Sequence, residues 1–344
     1  MQKKRTYTDL VRTKFWFSFS CIYTKQDTAF KLGRLIEPEK YTRNPQGGTS
    51  HTNKFSKYES GDHTPRPDLV NKMEIFAPGS MYVINMPLWD TLQPNFNLKQ
   101  RRAAVNQLPM AVTSKVNGME RFMEGGSFPK YKAGAGKKLV RMGNYDSLCL
   151  LMIFWRFDSE ETNHPNRMEI AVNIYHLLLI LSGELFYYGV CECFFSLFKH
   201  QVFDLGRSNG YRLDVDYEKF CRNAELLNRF YPFDETATER TREKRSTAIG
   251  MTLQKSSKIF ELYSLLNDVL DYDETMLSPN KEALRHVTYT RLSSDWAFKV
   301  LFENHRQSLI DTIKNYVKNN SNLTELDEKI FIIKAQNDSM ISNI

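Results

Sequence analysis

The chain has 344 residues, 41% of them hydrophobic and 13% aromatic, enough apolar material for more than one packed core and too much for a chain disordered throughout. The formal net charge is +7, but the excess is local: residues 1–145 hold 24 lysines and arginines against 11 acidic residues, and the remainder holds 23 against 29. That asymmetry points to a polyanion for the first part and to something else for the second.

The cysteines, Cys21, Cys149, Cys191, Cys193 and Cys221, are odd in number and scattered among apolar neighbours, the pattern of reduced thiols in a cytoplasmic protein. A single residue separates Cys191 from Cys193, whereas zinc knuckles and redox motifs keep two, so no metal is expected there. Residues 1–5 are basic, but Asp9 and Arg12 break up the next stretch before any apolar run can form, and no secretion signal is predicted.

A first helix is predicted over residues 8–23, with Thr8 as its cap, Asp9 at its positive end, and Val11, Phe15, Trp16 and Phe19 on a core face. A second covers residues 27–36, with Ala29, Phe30, Leu32 and Leu35 turned inward. Residues 37–48 contain Pro38, Pro45 and two adjacent glycines and read as an extended loop. Arg43 there is either a phosphate or minor-groove contact or a solvated arginine. Phe55 and Tyr58, three residues apart, fall on one side of a short helix whose open face carries Asn53, Lys54, Ser56 and Lys57. Ser50, Thr52 and Asn53 are residues of the kind that open helices. Gly61 suits the left-handed ending, and Pro67 suits the first turn of a further helix bearing Leu69, Val70 and Met73. Amide, hydroxyl and ammonium groups on one open face are what reading base edges and gripping phosphates requires.

This stretch resembles the helix-turn-helix of the phage-repressor (Cro-like) family. Tyr58, Glu59, Gly61 and Pro65 match the turn after that family's recognition helix, and Leu69 and Met73 match its packing helix. Gln26, Ala29, Leu32 and Gly33 are similar to the preceding helix, whose opening glutamine often touches phosphate. The resemblance implies duplex DNA as the partner, transcription regulation as the use, and a bacterial setting. The departure is an enlarged turn, residues 34–50, where the family has only a few residues.

Farther along, Pro78-Gly79 marks a turn. Residues 81–86 alternate weakly and read as a short strand or docking segment, with Pro87, Leu88 and Trp89 anchoring it. Residues 93–145 are rich in Lys, Arg and Gly and read as a basic connecting flap or linker. Arg101, Arg102, Lys137 and Lys138 are its candidate phosphate contacts. The Walker-A pattern fails there, because Tyr131 stands where a glycine is needed and Lys138 where a hydroxyl is needed.

From Ser147 the chain turns apolar. Residues 167–198 are its most hydrophobic part, but Asn173, His176, Glu184 and Glu192 interrupt it, so two core helices joined near Gly183 are expected and no membrane span. A His176–Glu184 pair is conceivable inside that core. Further helices are predicted over residues 214–231, 256–270 and 294–319, the last capped by Ser294, with a short apolar segment over 328–335. Residues 236–255, with a cluster of arginines, read as a solvated helix face or loop. No nucleophile motif occurs, and Asp214-Val215-Asp216 is only a faint echo of a nuclease metal pair, so no catalytic residue, cofactor or metal ligand is assigned.

The expected fold is mainly α: a helix-turn-helix bundle over residues 1–92, the basic connecting segment over 93–145, a larger helical bundle over 146–335 for homodimerisation or partner binding, and a frayed tail over 336–344. The expected function is DNA binding through Gln26, Thr52, Asn53, Lys54, Lys57, Arg66, Arg101, Arg102, Lys137 and Lys138. The alternatives are a host-defence or phage interaction protein indifferent to DNA and a metal-dependent nuclease.

Overall fold

The structure, a computed structural model, describes residues 5–43, 49–50, 53–158, 166–208, 210–254, 260–272, 281–303, 307–320 and 323–342. It is mainly helical, as the sequence patterning predicts. The chain divides into two compact units, one of residues 1–128 and 182–198, the other of 129–181 and 199–344. These boundaries differ from those drawn on composition, because packing joins segments distant in sequence.

In the first unit, α1 (Tyr7–Tyr23) opens on a capping box: the Thr6 hydroxyl accepts from the Asp9 amide, and the Asp9 carboxylate accepts from the Thr6 amide. Thr8, expected as the cap, is buried in the first turn and donates to the Leu92 carbonyl at 3.0 Å. α2 (Ala29–Ile36) is capped by Thr28. One 3₁₀ turn (Pro38–Lys40) leads into the antiparallel ribbon of β1 (Thr42–Arg43) and β2 (Thr49–Ser50), paired Thr42 to Ser50 and Arg43 to Thr49. The described part of the enlarged turn is therefore a 3₁₀ turn and a paired ribbon, not extended loop alone. α3 (Lys54–Glu59) follows, then α4 (Pro67–Phe76) with Pro67 in its first turn.

In the stretch 81–86, expected as a short strand or docking segment, residues 81–85 belong to α5 (Ser80–Asn85) and Met86 follows it. The buried residues of α5, Ser80, Val83 and Ile84, have helical spacing, and the Glu74 carboxylate accepts from the Gly79 and Met81 amides to hold the entry. α6 (Leu88–Thr91) carries Trp89, which is buried and donates to the Val83 carbonyl at 2.8 Å. The expected linker is helical too: α7 (Leu98–Gln107), α8 (Met110–Thr113) and α9 (Met119–Met123) bury Ala104, Val105, Val112, Met119 and Phe122. Phe15, Trp89 and Phe194 meet edge to face at the centre of the unit, with ring centroids 5.8 to 6.3 Å apart.

The second unit begins with α10 (Ala133–Met142), which ends on Gly143 at φ 61, the left-handed stop that favours glycine. α11 (Tyr145–Asp158) and α12 (Arg167–Tyr187) up to Leu181 follow, while residues 182–198, the end of α12 and most of the next helix, belong to the first unit. The break expected at Gly183 does not occur. α12 runs through it and ends before Gly189, φ 65, ahead of α13 (Cys191–Gln201). α12 is long and apolar enough to cross a bilayer by length and composition, and most of it is buried within the protein. His176 on this helix bonds Asn267, not Glu184.

After α13, β3 (Arg207–Ser208) and β4 (Tyr211–Leu213) lead to α14 (Tyr217–Phe230), capped by Asp216, and α15 (Glu239–Leu253), capped by Thr238 and packed on α10. After α16 (Phe260–Leu266), β5 (Leu270–Tyr272) pairs with β4 and completes a three-stranded antiparallel ribbon of order β3-β4-β5. Ser294, expected as a cap, is buried inside α17 (Lys281–Phe302). The cap that the fold uses is Ser308, which starts α18 (Leu309–Lys318). α19 (Glu325–Ser342) extends past Gln336, where a frayed tail was expected. Tyr289, Leu292, Ile313 and Phe331 share the core of α17–α19.

Candidate nucleic-acid interface

α3 is held from behind by aromatic contacts. Phe55 and Tyr58 are buried and meet edge to face at 5.7 Å, and Tyr58 in turn meets Trp16 of α1 at 5.7 Å. Burial pushes the Tyr58 hydroxyl up to about 12, so this ring stays neutral. Phe55 lies close over Gly33 of α2, where an added Cβ would stand 2.7 Å from the ring. Gly61, φ 81, turns the chain against Leu10 after α3 in the left-handed conformation expected of it.

With those rings inward, Asn53, Ser56, Lys57 and Ser60 fall on the opposite side at helical spacing, and all four are exposed. Asn53 precedes the helix without its side chain capping it. Ser60 donates to Asp62. Ser56, expected on the open face, is exposed there at helical spacing from Asn53 and Ser60.

Lys54 departs from expectation. Its ammonium lies 3.0 Å from the Glu37 carboxylate, which Lys40 also holds, so it is bound within the protein instead of being offered to a phosphate. Burial alone would raise the Glu37 carboxyl, but the hydrogen bonds from Lys40 and Lys54 outweigh it and hold the group below its ordinary range.

The other expected contacts divide. Gln26 lies in the α1–α2 turn, not on α2, and its side-chain amide donates to the Thr24 carbonyl at 3.0 Å. Arg66 is exposed at the start of α4. Thr52 lies outside the described residues. Arg101 is buried, its guanidinium 6.0 Å from the Phe96 ring. Arg102 lies 5.0 Å from the Phe122 ring and donates to the Gly126 carbonyl at 3.2 Å. Both arginines are therefore taken up in internal packing instead of being free for phosphate. Lys137 and Lys138 are exposed but sit on α10 in the second unit, on a regular helix rather than a glycine-rich loop.

The faint acidic pair of the second unit is structural. Asp216 caps α14, and Asp214 lies 3.5 Å from Lys219. Among the described residues no three His, Cys, Asp or Glu side chains gather as a metal-binding group. The chain matches no protein-family model, no curated protein and no solved structure.

Proposed function

We propose that the chain is a duplex-DNA-binding protein, used as a transcription regulator in the cytoplasm, whose first unit lays α3 in the major groove. The observation that carries this reading is the exposed stripe of Asn53, Ser56, Lys57 and Ser60, backed by Phe55 and Tyr58 against α1 and α2. An amide, hydroxyls and an ammonium at that spacing reach base edges and backbone along one groove. The basic balance of the N-terminal half supplies long-range attraction to a polyanion. Within this reading Asn53 contacts a base edge and Lys57 and Arg66 hold backbone, while Lys54 positions α3 through Glu37. The second unit serves homodimerisation or partner binding.

The test is selection of full-length protein on random duplexes, followed by titration of the recovered sequence with wild type and an Asn53→Ala/Lys57→Ala double variant. Salt-dependent binding by wild type and its loss in the variant is the expected result. Equal binding by both removes α3 from the interface.

A second reading is a protein-interaction component indifferent to DNA. It draws on the apolar side chains left exposed around the α4–α5 turn, Ile75 at 77% exposure with Phe76, Met81 and Tyr82 nearby in sequence. Failure to recover any duplex, together with stable association with another protein through Ile75, would favour it.

A further inference from the structure

In the second unit, side chains of α14 and α17 line a cleft of about 500 Å³ that is partly open to solvent. Its apolar wall includes Leu226 of α14 and a pair of rings, Phe298 and Phe302, one turn apart on α17 with centroids 5.1 Å from each other. Tyr289 and Leu292 of the same helix are buried in the core of α17–α19, whereas Phe298 and Phe302 are 47% and 43% exposed. Two large rings left bare along a cleft are surface that a ligand can cover.

The polar side of the cleft is rich in acceptors that lack a donor. Asp268, in the link between α16 and β5, is partly buried, and its carboxylate has no hydrogen bond or ion pair among the described residues. The two cations that act on it are engaged elsewhere, Lys219 lying 3.5 Å from Asp214 and Arg291 2.8 Å from Asp271. Burial pushes the Asp268 carboxyl above its ordinary range. Lys219 and Arg291 oppose that rise, and Asp295 and Asp214 add to it. Asp295 also lines the cleft, exposed and without an ion pair among the described residues. Two buried side chains complete the set. Asn223 is 2% exposed, and its NH₂ donates to the Tyr175 hydroxyl at 2.9 Å while its oxygen accepts from no described residue. Ser294 is 9% exposed, and its hydroxyl has no partner among the described residues. Buried carboxylates are ordinarily paired and buried polar atoms ordinarily bonded, so this lining marks a place where a donor is missing. The cations of the lining do not fill it. Arg229 is bonded to Glu225 of its own helix at 2.6 Å, and Arg222 is exposed, where solvent screens its charge.

We propose that this cleft binds an organic ammonium ion with an apolar ring as its body, an arylalkylamine. The ammonium is received by Asp268 with the oxygens of Asn223 and Ser294, the ring lies along Phe298 and Phe302, and Asp295 adds attraction at the rim. An ammonium offers three donors and no acceptor, which matches a carboxylate, an amide oxygen and a hydroxyl free to accept. An anionic ligand would meet two carboxylates. A metal ion would leave the rings bare, and among the described residues no three His, Cys, Asp or Glu side chains gather to hold one. The volume lies within the range of small-molecule sites. This site is independent of the DNA-binding reading and gives the second unit a chemistry of its own.

The experiment is calorimetric titration of the full-length protein with phenethylamine, tyramine and tryptamine. Three comparison compounds separate the contributions: phenethyl alcohol lacks the charge, phenylacetate reverses it, and putrescine keeps ammonium groups without a ring. At least one arylalkylamine is expected to bind with a Kd of about 1 mM or tighter, and each comparison compound at least about tenfold more weakly. Asp268→Asn keeps the shape and removes a charge that burial opposes, so the fold is preserved, and binding is expected to weaken at least about tenfold. Phe298→Ala removes a ring that is already half exposed and is expected to weaken binding about three- to tenfold. No binding of any of the three amines up to about 20 mM overturns the proposal. So does binding of any comparison compound as tight as that of the best amine, and so does wild-type affinity in Asp268→Asn.

Discussion

Lys54 reaches back across the inserted ribbon to Glu37, its ammonium 3.0 Å from the carboxylate of a side chain only 7% exposed. Glu37 lies just before the ribbon and Lys54 opens the helix after it, so the pair clips the base of the insertion and fixes where α3 begins. Glu37→Gln is expected to lower stability by about 1–2 kcal/mol, the exposure of Lys40 and Lys54 keeping the loss below that of a fully buried pair. The native carboxyl titrates below its ordinary value of 4.5, because the two lysine bonds outweigh burial. Its contribution is therefore complete above that value and fades as pH falls through the native one. Urea melts of wild type and Glu37→Gln at pH 7 and pH 3 measure both effects, and curves that differ equally at the two pH values would contradict the assignment.

Gly33 matters because Phe55 and Tyr41 already occupy the space a side chain would need. A Cβ there would fall 1.8 Å from the Tyr41 hydroxyl oxygen and 2.7 Å from the Phe55 ring. Gly33→Ala gains up to about 1 kcal/mol of helix propensity, but overpacking of this kind costs about 1–3 kcal/mol. A net loss is expected in thermal melts. Because Phe55 is the ring displaced, DNA affinity should fall with it, whereas an alanine at Gly134, which meets nothing within 4 Å, should be neutral or stabilising.

The parts of the first unit legible in the sequence are those set by local spacing. The inward pair Phe55 and Tyr58, the left-handed Gly61 and the helix-starting Pro67 need only neighbours along the chain. The misread parts depend on partners elsewhere. Nothing near Lys54 announces a carboxylate 17 residues away, and nothing near Arg102 announces a carbonyl 24 residues on. Basic residues written close together looked like a phosphate surface, whereas packing turned the two arginines onto phenylalanine rings. Six residues of weak alternation could not separate a strand from α5, since both periods fit so short a run. The cleft of the second unit draws together Asn223, Asp268 and Ser294 from separate elements and has no local signature at all.

Acid should unsettle the second unit before it unsettles the first. Burial lowers His176 to about 4, only partly offset by its bond to Asn267, and burial with the Lys334 charge lowers His286 to about 4. An unfolded histidine titrates near 6.5, so the unfolded chain takes up protons that the native one refuses. The stability held by these two rings is whole above that value and drains as pH falls toward 4, on the order of 3 kcal/mol for the fully buried His176. Hydrogen exchange between pH 7 and pH 5 should show α12, α16 and α17 losing protection first. His176→Gln, which keeps a donor for Asn267, should flatten the pH dependence of its melting temperature. An unchanged slope would mean that His176 is not the group responsible.

Lys57 and Arg102 separate a contact with DNA from mere positive charge. The sequence points to a base edge for Lys57 and to phosphate for Arg102, yet Lys57 is exposed on the open side of α3 and Arg102 lies over Phe122 with a bond to the Gly126 carbonyl. If Lys57 holds a phosphate, Lys57→Ala should reduce the slope of log affinity against log salt by about one and weaken all duplexes alike. Asn53→Ala should instead relax discrimination at one base pair, by about 1–3 kcal/mol, and leave the salt slope in place. Arg102→Ala should do neither, and should cost stability through the lost ring contact and hydrogen bond. The deciding measurement is binding of the selected duplex at several salt concentrations for wild type and the three variants. A slope that drops with Arg102 and not with Lys57 would place the phosphate contact on α7 and leave α3 as scaffold.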